Sequence, residues 1–164
     1  MRYLAIVAIL LAALAVACGS DSPTAPTPVP PSGLPAAVRI AMEQALSDEY
    51  RAETTYQGVI NDLGAYPPFV NVLQAEQRHS SSIAGLFTNR GLTPPANGWT
   101  LALVPHYATI PAACTAAAAA ERANIALYDG FLGLDLPADV RQVFENNRAA
   151  SLFNHLPAFE RCAR

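Results

Sequence analysis

The sequence contains no lysine: all ten of its basic residues are arginines, and they are dispersed along the chain. The formal net charge is −3, and no segment forms a basic cluster. Proteins that bind nucleic acids carry basic patches that neutralise backbone phosphates, so nucleic acid is excluded as a partner class. With 164 residues, 52% of them hydrophobic and 14% charged, the chain has the length and composition of one domain with a buried core.

Long apolar runs are also scarce, and the one that stands out lies at the N-terminus. Residues 3–17 follow a single charge at Arg2 and are too few for a convincing membrane span, a combination typical of an export signal. The run ends in the letters LAVAC, where small residues precede Cys18. This ending resembles the lipobox of bacterial lipoproteins, whose cysteine is lipidated and becomes the mature N-terminus. Ordinary cleavage after residues 15–17, Ala-Val-Ala, is the alternative.

The segment that follows is predicted to be a tether. Residues 18–34 are rich in proline, serine and threonine and cannot bury a core, which favours a semi-extended linker. The domain prediction is therefore a signal peptide at 1–17, a tether at 18–34 and a folded domain at 35–164. We expect an envelope protein anchored through Cys18, with its domain on the periplasmic or outer face. Gly19, rather than Asp, favours the outer membrane in a cell that has one.

Two further cysteines, Cys114 and Cys162, fall in the folded part. Exported proteins meet oxidising conditions, under which such a pair can form a disulfide. Cys114 lies near the start of one predicted helix and Cys162 near the end of the next, and these ends are neighbours in an antiparallel hairpin. We therefore expect a Cys114–Cys162 disulfide, with two buried free thiols as the alternative.

Apolar residues recur at spacings of three and four in four segments after the tether, which predicts four amphipathic helices. The helices are expected at residues 35–63, 67–90, 111–131 and from 137 onward. A short turn makes the first two an antiparallel hairpin. Residues 92–110 contain three prolines and show no clear periodicity, yet they are long enough to travel the length of a bundle. The predicted fold class is all-α: an antiparallel four-helix bundle with a long crossover between helices 2 and 3.

Acidic residues and a histidine interrupt the apolar seams of three helices. Glu76 and His79 stand three residues apart, so they share one face of helix 2 and can reach a single point in space. Glu49 and Glu121 occupy seam positions at the same depth in helices 1 and 3. Burying three uncompensated carboxylates would cost on the order of several kcal/mol each, so a cation is expected between them.

That cation can be a metal or an arginine. Carboxylate oxygen combined with imidazole nitrogen suits iron, manganese or zinc more than calcium. In the alternative, Arg78, Arg122 or Arg148 pairs with the carboxylates, and His79 is a hydrogen-bonded core histidine. Four such residues at one depth on three seams favour the metal.

Helix 4 departs from a complete two-metal site, which would repeat the Glu-x-x-His spacing. His155 lies on the seam, but Leu152 stands three residues before it, where a glutamate is needed. Glu145 is the alternative ligand, closer to the depth of Glu121 but marginal to the seam. Pro157 is expected to remove one backbone bond and to kink the helix one turn beyond His155.

The charge balance and the nearby aromatic residues leave further alternatives open. Three carboxylates neutralise two divalent ions incompletely. Three alternatives therefore stay open: a fourth carboxylate from Glu145 or Glu53, a single metal, or a partly occupied pair. Tyr56 and Tyr128 each follow a seam glutamate by seven residues. They are expected to be core filler, with a redox or ligand-supporting role as the alternative. His106, in the crossover, is expected to be a surface or loop-packing residue without a partner.

These motifs resemble a ferritin-like family of prokaryotic proteins, a domain-of-unknown-function family related to the rubrerythrins. The matching segments are EYRA at 49–52 with Tyr56, AEQRH at 75–79, Glu121 ahead of Asn124-Ile125, VFEN at 143–146 and NHLPAF at 154–159. The last is similar to the family's Asn-His-Leu-Arg-Ala-Phe signature, with Pro157 in place of Arg. The resemblance implies metal positions at Glu49, Glu76, His79, Glu121 and His155. The family has no settled activity, so the resemblance implies a fold and a metal site but no substrate.

Three functions are compatible with these features, and whether the protein is an enzyme is left open. The first is a redox-active metal protein of the rubrerythrin type that consumes oxygen or peroxide or handles iron at the envelope. The second is a metal store or sensor without catalysis. The third is a bundle lipoprotein with a degenerate site that serves as a scaffold or partner-binding module. Iron, as a di-iron site, is the expected cofactor, with manganese or zinc as alternatives. Metal ions and the membrane are the expected partners, and homodimerisation stays open.

Overall fold

The computed structural model describes residues 33–164, and every regular element in that part of the chain is helical. The elements are α1 (Ala36–Leu63), α2 (Pro67–Thr88), a short 3-10 turn (Leu101–Leu103), α3 (Ile110–Leu132), α4 (Ala138–Ala150), a π-helical turn (Ser151–His155) and α5 (Leu156–Cys162). The prediction of an all-α fold is confirmed. None of these helices is long and apolar enough to cross a membrane. The predicted export signal, Cys18 and the tether up to residue 32 lie outside the described residues.

The long helices form a ring in which each is antiparallel to its neighbours. Helix α1 contacts α2 and α3, while α4 and α5, which continue one another through the π-helical turn, contact α3 and α2. The beginning of α1 packs with the end of α2 in one apolar cluster, and the end of α1 packs with the beginning of α2 in another. Helices α2 and α3 therefore lie diagonally across the ring and run in the same direction. The chain must return along the whole bundle to connect them.

The connecting segment, residues 89–109, makes this return along α1. Trp99 Nε1 donates a hydrogen bond to the Ser47 carbonyl at 3.0 Å, and His106 Nδ1 lies 2.5 Å from Asp62 Oδ2. Residues 47 and 62 are about 22 Å apart along an α-helix, so the segment covers much of the length of α1. His106 is exposed, as expected, but it has a partner in Asp62 that the sequence did not indicate.

Two apolar clusters fill the bundle above and below a central polar layer. Tyr128, Phe131 and Phe144 pack together in the first cluster, and Tyr56, Phe69 and Phe159 pack together in the second. A disulfide joins Cys114 of α3 to Cys162 of α5 beside the second cluster, with Cα atoms 5.7 Å apart. The polar layer is thereby closed on both sides by packed aromatic side chains.

The fourth helix changes its geometry where it crosses the polar layer. Its buried residues are Val140, Phe144, Asn147, Ser151, His155 and Phe159. From Ser151 these residues are four apart, and each such step would rotate a side chain by about 40° around a regular α-helix. The wider π-helical turn, in which the Leu156 amide bonds the Ser151 carbonyl, keeps them on one face. Pro157 cannot supply a regular helical bond. The irregularity therefore lies at 151–155, not one turn beyond His155 as predicted.

Candidate metal centre

The central layer contains the five residues that the sequence singled out. They are Glu49 of α1, Glu76 and His79 of α2, Glu121 of α3 and His155 of the π-helical turn. None is more than 9% exposed. Each occupies the inward stripe of its helix, where an apolar residue would otherwise pack, and the antiparallel ring brings these positions to one depth.

Glu76 is at the centre of the layer. Its Oε2 lies 2.8 Å from His79 Nδ1, and its Oε1 lies 3.1 Å from His155 Nδ1. One carboxylate therefore links two imidazoles, whose ring centroids are 5.3 Å apart. Glu49 Oε2 is 3.4 Å from His79 Nδ1, and Glu121 Oε2 is 3.4 Å from His155 Nδ1. The layer thus consists of two Glu–His pairs that share Glu76.

A tyrosine from the facing helix holds each outer glutamate. Tyr56 of α1 donates a hydrogen bond to Glu121 Oε1 at 2.6 Å, and Tyr128 of α3 donates one to Glu49 Oε1. Both tyrosines are fully buried. Each glutamate lies about two turns from the tyrosine on its own helix, and because α1 and α3 are antiparallel the equal spacing aligns both pairs. From the sequence, these tyrosines are expected mainly to fill the core. The seven-residue spacing that both Glu–Tyr pairs share was the signal for this reciprocal pairing.

Further polar side chains support the layer from α1, α3 and the fourth helix. Asn147 Nδ2 donates to the Tyr128 hydroxyl at 3.1 Å. Ser151 Oγ donates to Asn124 Oδ1 at 2.9 Å, and Asn124 Nδ2 donates to Asp48 Oδ2 at 3.0 Å. Sequence reasoning did not select Asp48, Asn147 or Ser151, since single polar residues on a seam carry little signal. Together they tie the π-helical turn to α3 and α1.

No arginine in residues 33–164 neutralises the buried carboxylates. Arg122 pairs with Glu160, Arg148 pairs with Asp129, and Arg78 is exposed. In this part of the chain, the two imidazoles are the basic groups that pair with the three buried glutamates. The arginine alternative raised by the sequence is therefore not the arrangement that the structure shows.

The imidazoles carry protons when no metal is bound. Burial opposes the charged form of His79, but Glu49 and Glu76 outweigh it and raise its pKa to about 9. Burial likewise opposes the charged form of His155, yet Glu121 and Glu76 raise its pKa to about 10. Burial and repulsion from Glu76 raise the pKa of Glu49 to about 7. For Glu76 burial works against ionisation, but the two imidazoles lower its pKa below the ordinary value. A metal must displace the imidazole protons, because histidine ligates as the neutral ring.

The donor atoms of the layer fit a metal. Glu76, His79 and His155 each offer a ligand atom within 4.8 Å of the others, and this buried group could hold an ion. Glu49 Oε2, Glu121 Oε2 and His155 Nδ1 are buried, and although they lie 3.1–3.4 Å from oppositely charged partners, none of them makes a well-aligned hydrogen bond. An unpaired buried polar atom costs about 1–3 kcal/mol, and more when it is charged. Carboxylate oxygen and imidazole nitrogen are donors for iron, manganese and zinc, so a metal would satisfy all three atoms.

Of the two candidate ligands on the fourth helix, His155 lies in the layer and Glu145 does not. Glu145 is exposed on α4, and Leu152 is half-buried where a second Glu-x-x-His would need a glutamate. Glu53 of α1 is half-buried, and its Oε1 has no hydrogen-bond partner. Burial and repulsion from the layer's carboxylates raise the pKa of Glu53, so it lies within electrostatic reach of the site.

An open groove between α2 and the α4–α5 helix leads to the imidazoles. It has a volume of about 790 Å³, and His79 and His155 are among its lining residues. Arg78 and Arg161 also line it, whereas no acidic side chain of the described residues does. The groove is a route by which a small solute can reach the layer from solvent.

Comparison with known proteins identifies a structural neighbour rather than a sequence family. No protein-family profile matches the chain, and no curated protein sequence is significantly similar to it. The crystal structure of a conserved hypothetical protein, rv2844, from Mycobacterium tuberculosis aligns with a TM-score of 0.64 and 18% sequence identity. The alignment covers 76% of this chain and 96% of that protein. The two share a fold. At 18% sequence identity, a shared fold does not indicate a shared function.

Proposed function

We propose that the chain is a ferritin-like metal-binding protein with two metal ions side by side in the buried layer. Glu49 and His79 would serve one ion, Glu121 and His155 the other, and Glu76 would bridge them. The observation that carries the proposal is Glu76, whose two oxygens face two different imidazoles. A ring of antiparallel helices, a long crossover and inward-facing Glu and His residues are also the pattern of ferritin-like metal carriers.

The proposed activity is the consumption of oxygen or peroxide, or the handling of iron, at the cell envelope. A bound iron pair would supply two centres that share the electrons passed to the oxidant. The chain's own contribution is positional: Tyr56 and Tyr128 fix the outer glutamates, and the aromatic clusters exclude water above and below. The groove beside the imidazoles gives a small oxidant access.

Metal analysis of the full-length protein, produced with iron available, tests the site. We expect about two ions per chain. Glu76→Gln should lose both, because it removes the shared carboxylate and its charge. Glu145→Gln is the matched control: the chemical change is the same, but Glu145 is exposed on α4. If the wild-type protein holds no more metal than Glu76→Gln, the proposed site is wrong.

A second candidate is a metal store or sensor that does not turn over. Leu152 favours this second candidate, because it stands where a fourth glutamate would be needed. The layer therefore has three carboxylates instead of the four of a complete di-iron site. Rapid mixing of the ferrous protein with oxygen or peroxide separates the candidates. Repeated oxidation with an added reductant supports catalysis, whereas spectra that do not change identify a non-catalytic site.

The same proposal places the domain outside the cytoplasm, anchored to a membrane through Cys18. It is supported by the N-terminal sequence pattern and by the Cys114–Cys162 disulfide, since disulfides persist mainly in oxidising compartments. Fractionation of cells that express the wild type and Cys18→Ala tests it. The wild type should be in the membrane fraction and the variant should leave it. A wild-type protein that fractionates as Cys18→Ala does would contradict the anchor.

A further inference from the structure

A second space reaches the metal layer from the side opposite the groove. It is a cavity of about 130 Å³ between α1, α3 and the crossover segment. Tyr56, Glu76 and Glu121 border its inner end, while Trp99 and Tyr107 of the crossover cover it from outside. The groove between α2 and the α4–α5 helix does not share this lining. Two different spaces therefore lead to the layer: the groove, which is open to solvent, and the cavity, which the crossover covers.

The cavity exists because small side chains line α3 where larger ones would fill the space. Four alanines of this helix border it: Ala113, Ala116, Ala117 and Ala120. The crossover closes the gap without filling it. Trp99 is fixed over α1 by its hydrogen bond to the Ser47 carbonyl, and Val104 is buried against Gly58. Leu103, which also borders the cavity, is 63% exposed, so this edge of the cavity lies close to solvent.

Most polar side chains that border the cavity have partners within the protein. Glu121 accepts from Tyr56 through Oε1 and has Oε2 3.4 Å from His155 Nδ1, while Arg51 is partly exposed at the cavity rim. Asp48 pairs with Arg51 and accepts from Asn124, and the Thr55 hydroxyl donates to the Arg51 carbonyl. The Tyr56 hydroxyl is committed to Glu121. A ligand at the inner end of the cavity therefore meets no free hydrogen-bond donor from the Thr55 or Tyr56 hydroxyl. A charged or strongly polar ligand would lose its hydration without replacement, whereas an apolar one would not.

We infer that this cavity is a binding site for one small, neutral, apolar molecule of about the size of benzene. Apolar protein cavities of about 150 Å³ stay dry and bind benzene, a volume close to that found here. The ligand would lie against Tyr56 and beside Glu76 and Glu121. Under the proposed function, on which this role rests, the cavity would hold an apolar substrate next to the metal pair. Binding itself requires no metal.

Benzene titration of the full-length, metal-free protein tests the inference. Trp99, the one tryptophan of the chain, lines the cavity and reports occupancy through its fluorescence. We expect saturable binding of one benzene per chain. Ala117→Leu should fill the space and weaken binding by at least about tenfold. Ala119→Leu, the same change at an exposed position of α3, should bind as the wild type does.

Ala120→Leu provides a second filling variant at a half-buried position, so the test stands even if Ala117→Leu does not fold. Absence of saturable binding to the wild type, or undiminished binding to the folded filling variants, overturns the inference. Metal uptake is measured separately, on portions of the same protein preparations to which ferrous iron has been added back. Benzene binding by a protein that takes up no metal would refute the proposed metal function and leave the cavity site standing. Metal uptake by a protein that binds no benzene would refute the cavity site and leave the metal function standing.

Discussion

The two halves of the central polar layer reach similar geometry from unlike surroundings. Glu49 and His79 belong to the α1–α2 hairpin, whose helices are regular and joined by a short turn. Glu121 and His155 belong to a pair of helices held by a disulfide, and His155 lies in a π-helical turn. Both outer glutamates nevertheless lie 3.4 Å from their histidines. The symmetry resides in the side chains, and the second half has a disulfide and a π-helical turn that the α1–α2 hairpin does not have.

Breaking the disulfide should have the largest effect, and it acts on the second half. The bridge joins residues 48 apart in sequence, and loop-closure entropy predicts a loss of about 4 kcal/mol without it. Urea unfolding of the oxidised protein and of Cys114→Ser/Cys162→Ser measures the difference. Adding reductant to the double variant is the control and should change nothing. A loss below about 1 kcal/mol would show that packing, not the bridge, holds α3 to α5.

Raising the pH should destabilise the metal-free protein through both halves of the layer. His79 and His155 have pKa values of about 9 and about 10, above that of an unfolded histidine. Their stabilisation is complete below about pH 6.5, and both contributions decline as the pH rises above it. The contribution of His79 is fully lost near pH 9 and that of His155 near pH 10. The raised pKa of Glu49, about 7, acts in the same direction at lower pH.

Urea unfolding of the metal-free protein from about pH 6 to pH 10 measures this decline. Either His79→Asn or His155→Asn should roughly halve the histidine-dependent decline up to about pH 9, and His155→Asn should also remove the decline between about pH 9 and pH 10. His106→Asn is the control, since this exposed histidine pairs with Asp62 far from the layer and should leave both parts in place. A free energy of unfolding that stays flat or rises above about pH 6.5 would mean that the imidazoles are neutral in the folded protein.

The sequence predicted the helices and the five layer residues because both depend on local periodicity. A Glu or His on an apolar seam must enter the core wherever its helix packs, so burial follows from the pattern alone. The seven-residue Glu–Tyr spacing is visible in the sequence, but the Tyr56–Glu121 contact also depends on how α1 and α3 are aligned, which no single helix specifies. The π-helical turn and the cavity beside Ala117 depend on tertiary packing, and the partner of His106 depends on the path of the crossover. These features were not predictable from local pattern.

Removing one imidazole at a time should separate the two halves directly. His79→Ala and His155→Ala each delete a ligand of one ion, so the metal content should fall from about two ions to about one. Metal analysis against His106→Ala, which alters a surface histidine, measures the change. Loss of all metal from either variant would mean that Glu76, His79 and His155 bind one shared ion. The result therefore decides between one metal and two.

Removing the tyrosine hydroxyls should reveal the smallest difference between the halves. Tyr56→Phe and Tyr128→Phe each leave a buried carboxylate oxygen without its donor, at a cost of about 1–3 kcal/mol in the metal-free protein. Tyr128→Phe should cost more, because the Asn147 amide also loses its acceptor. Urea unfolding against Tyr66→Phe, a change at a 43% exposed residue, measures both. Equal losses would show that Asn147 finds another partner, and the two halves would then be energetically alike despite their different support.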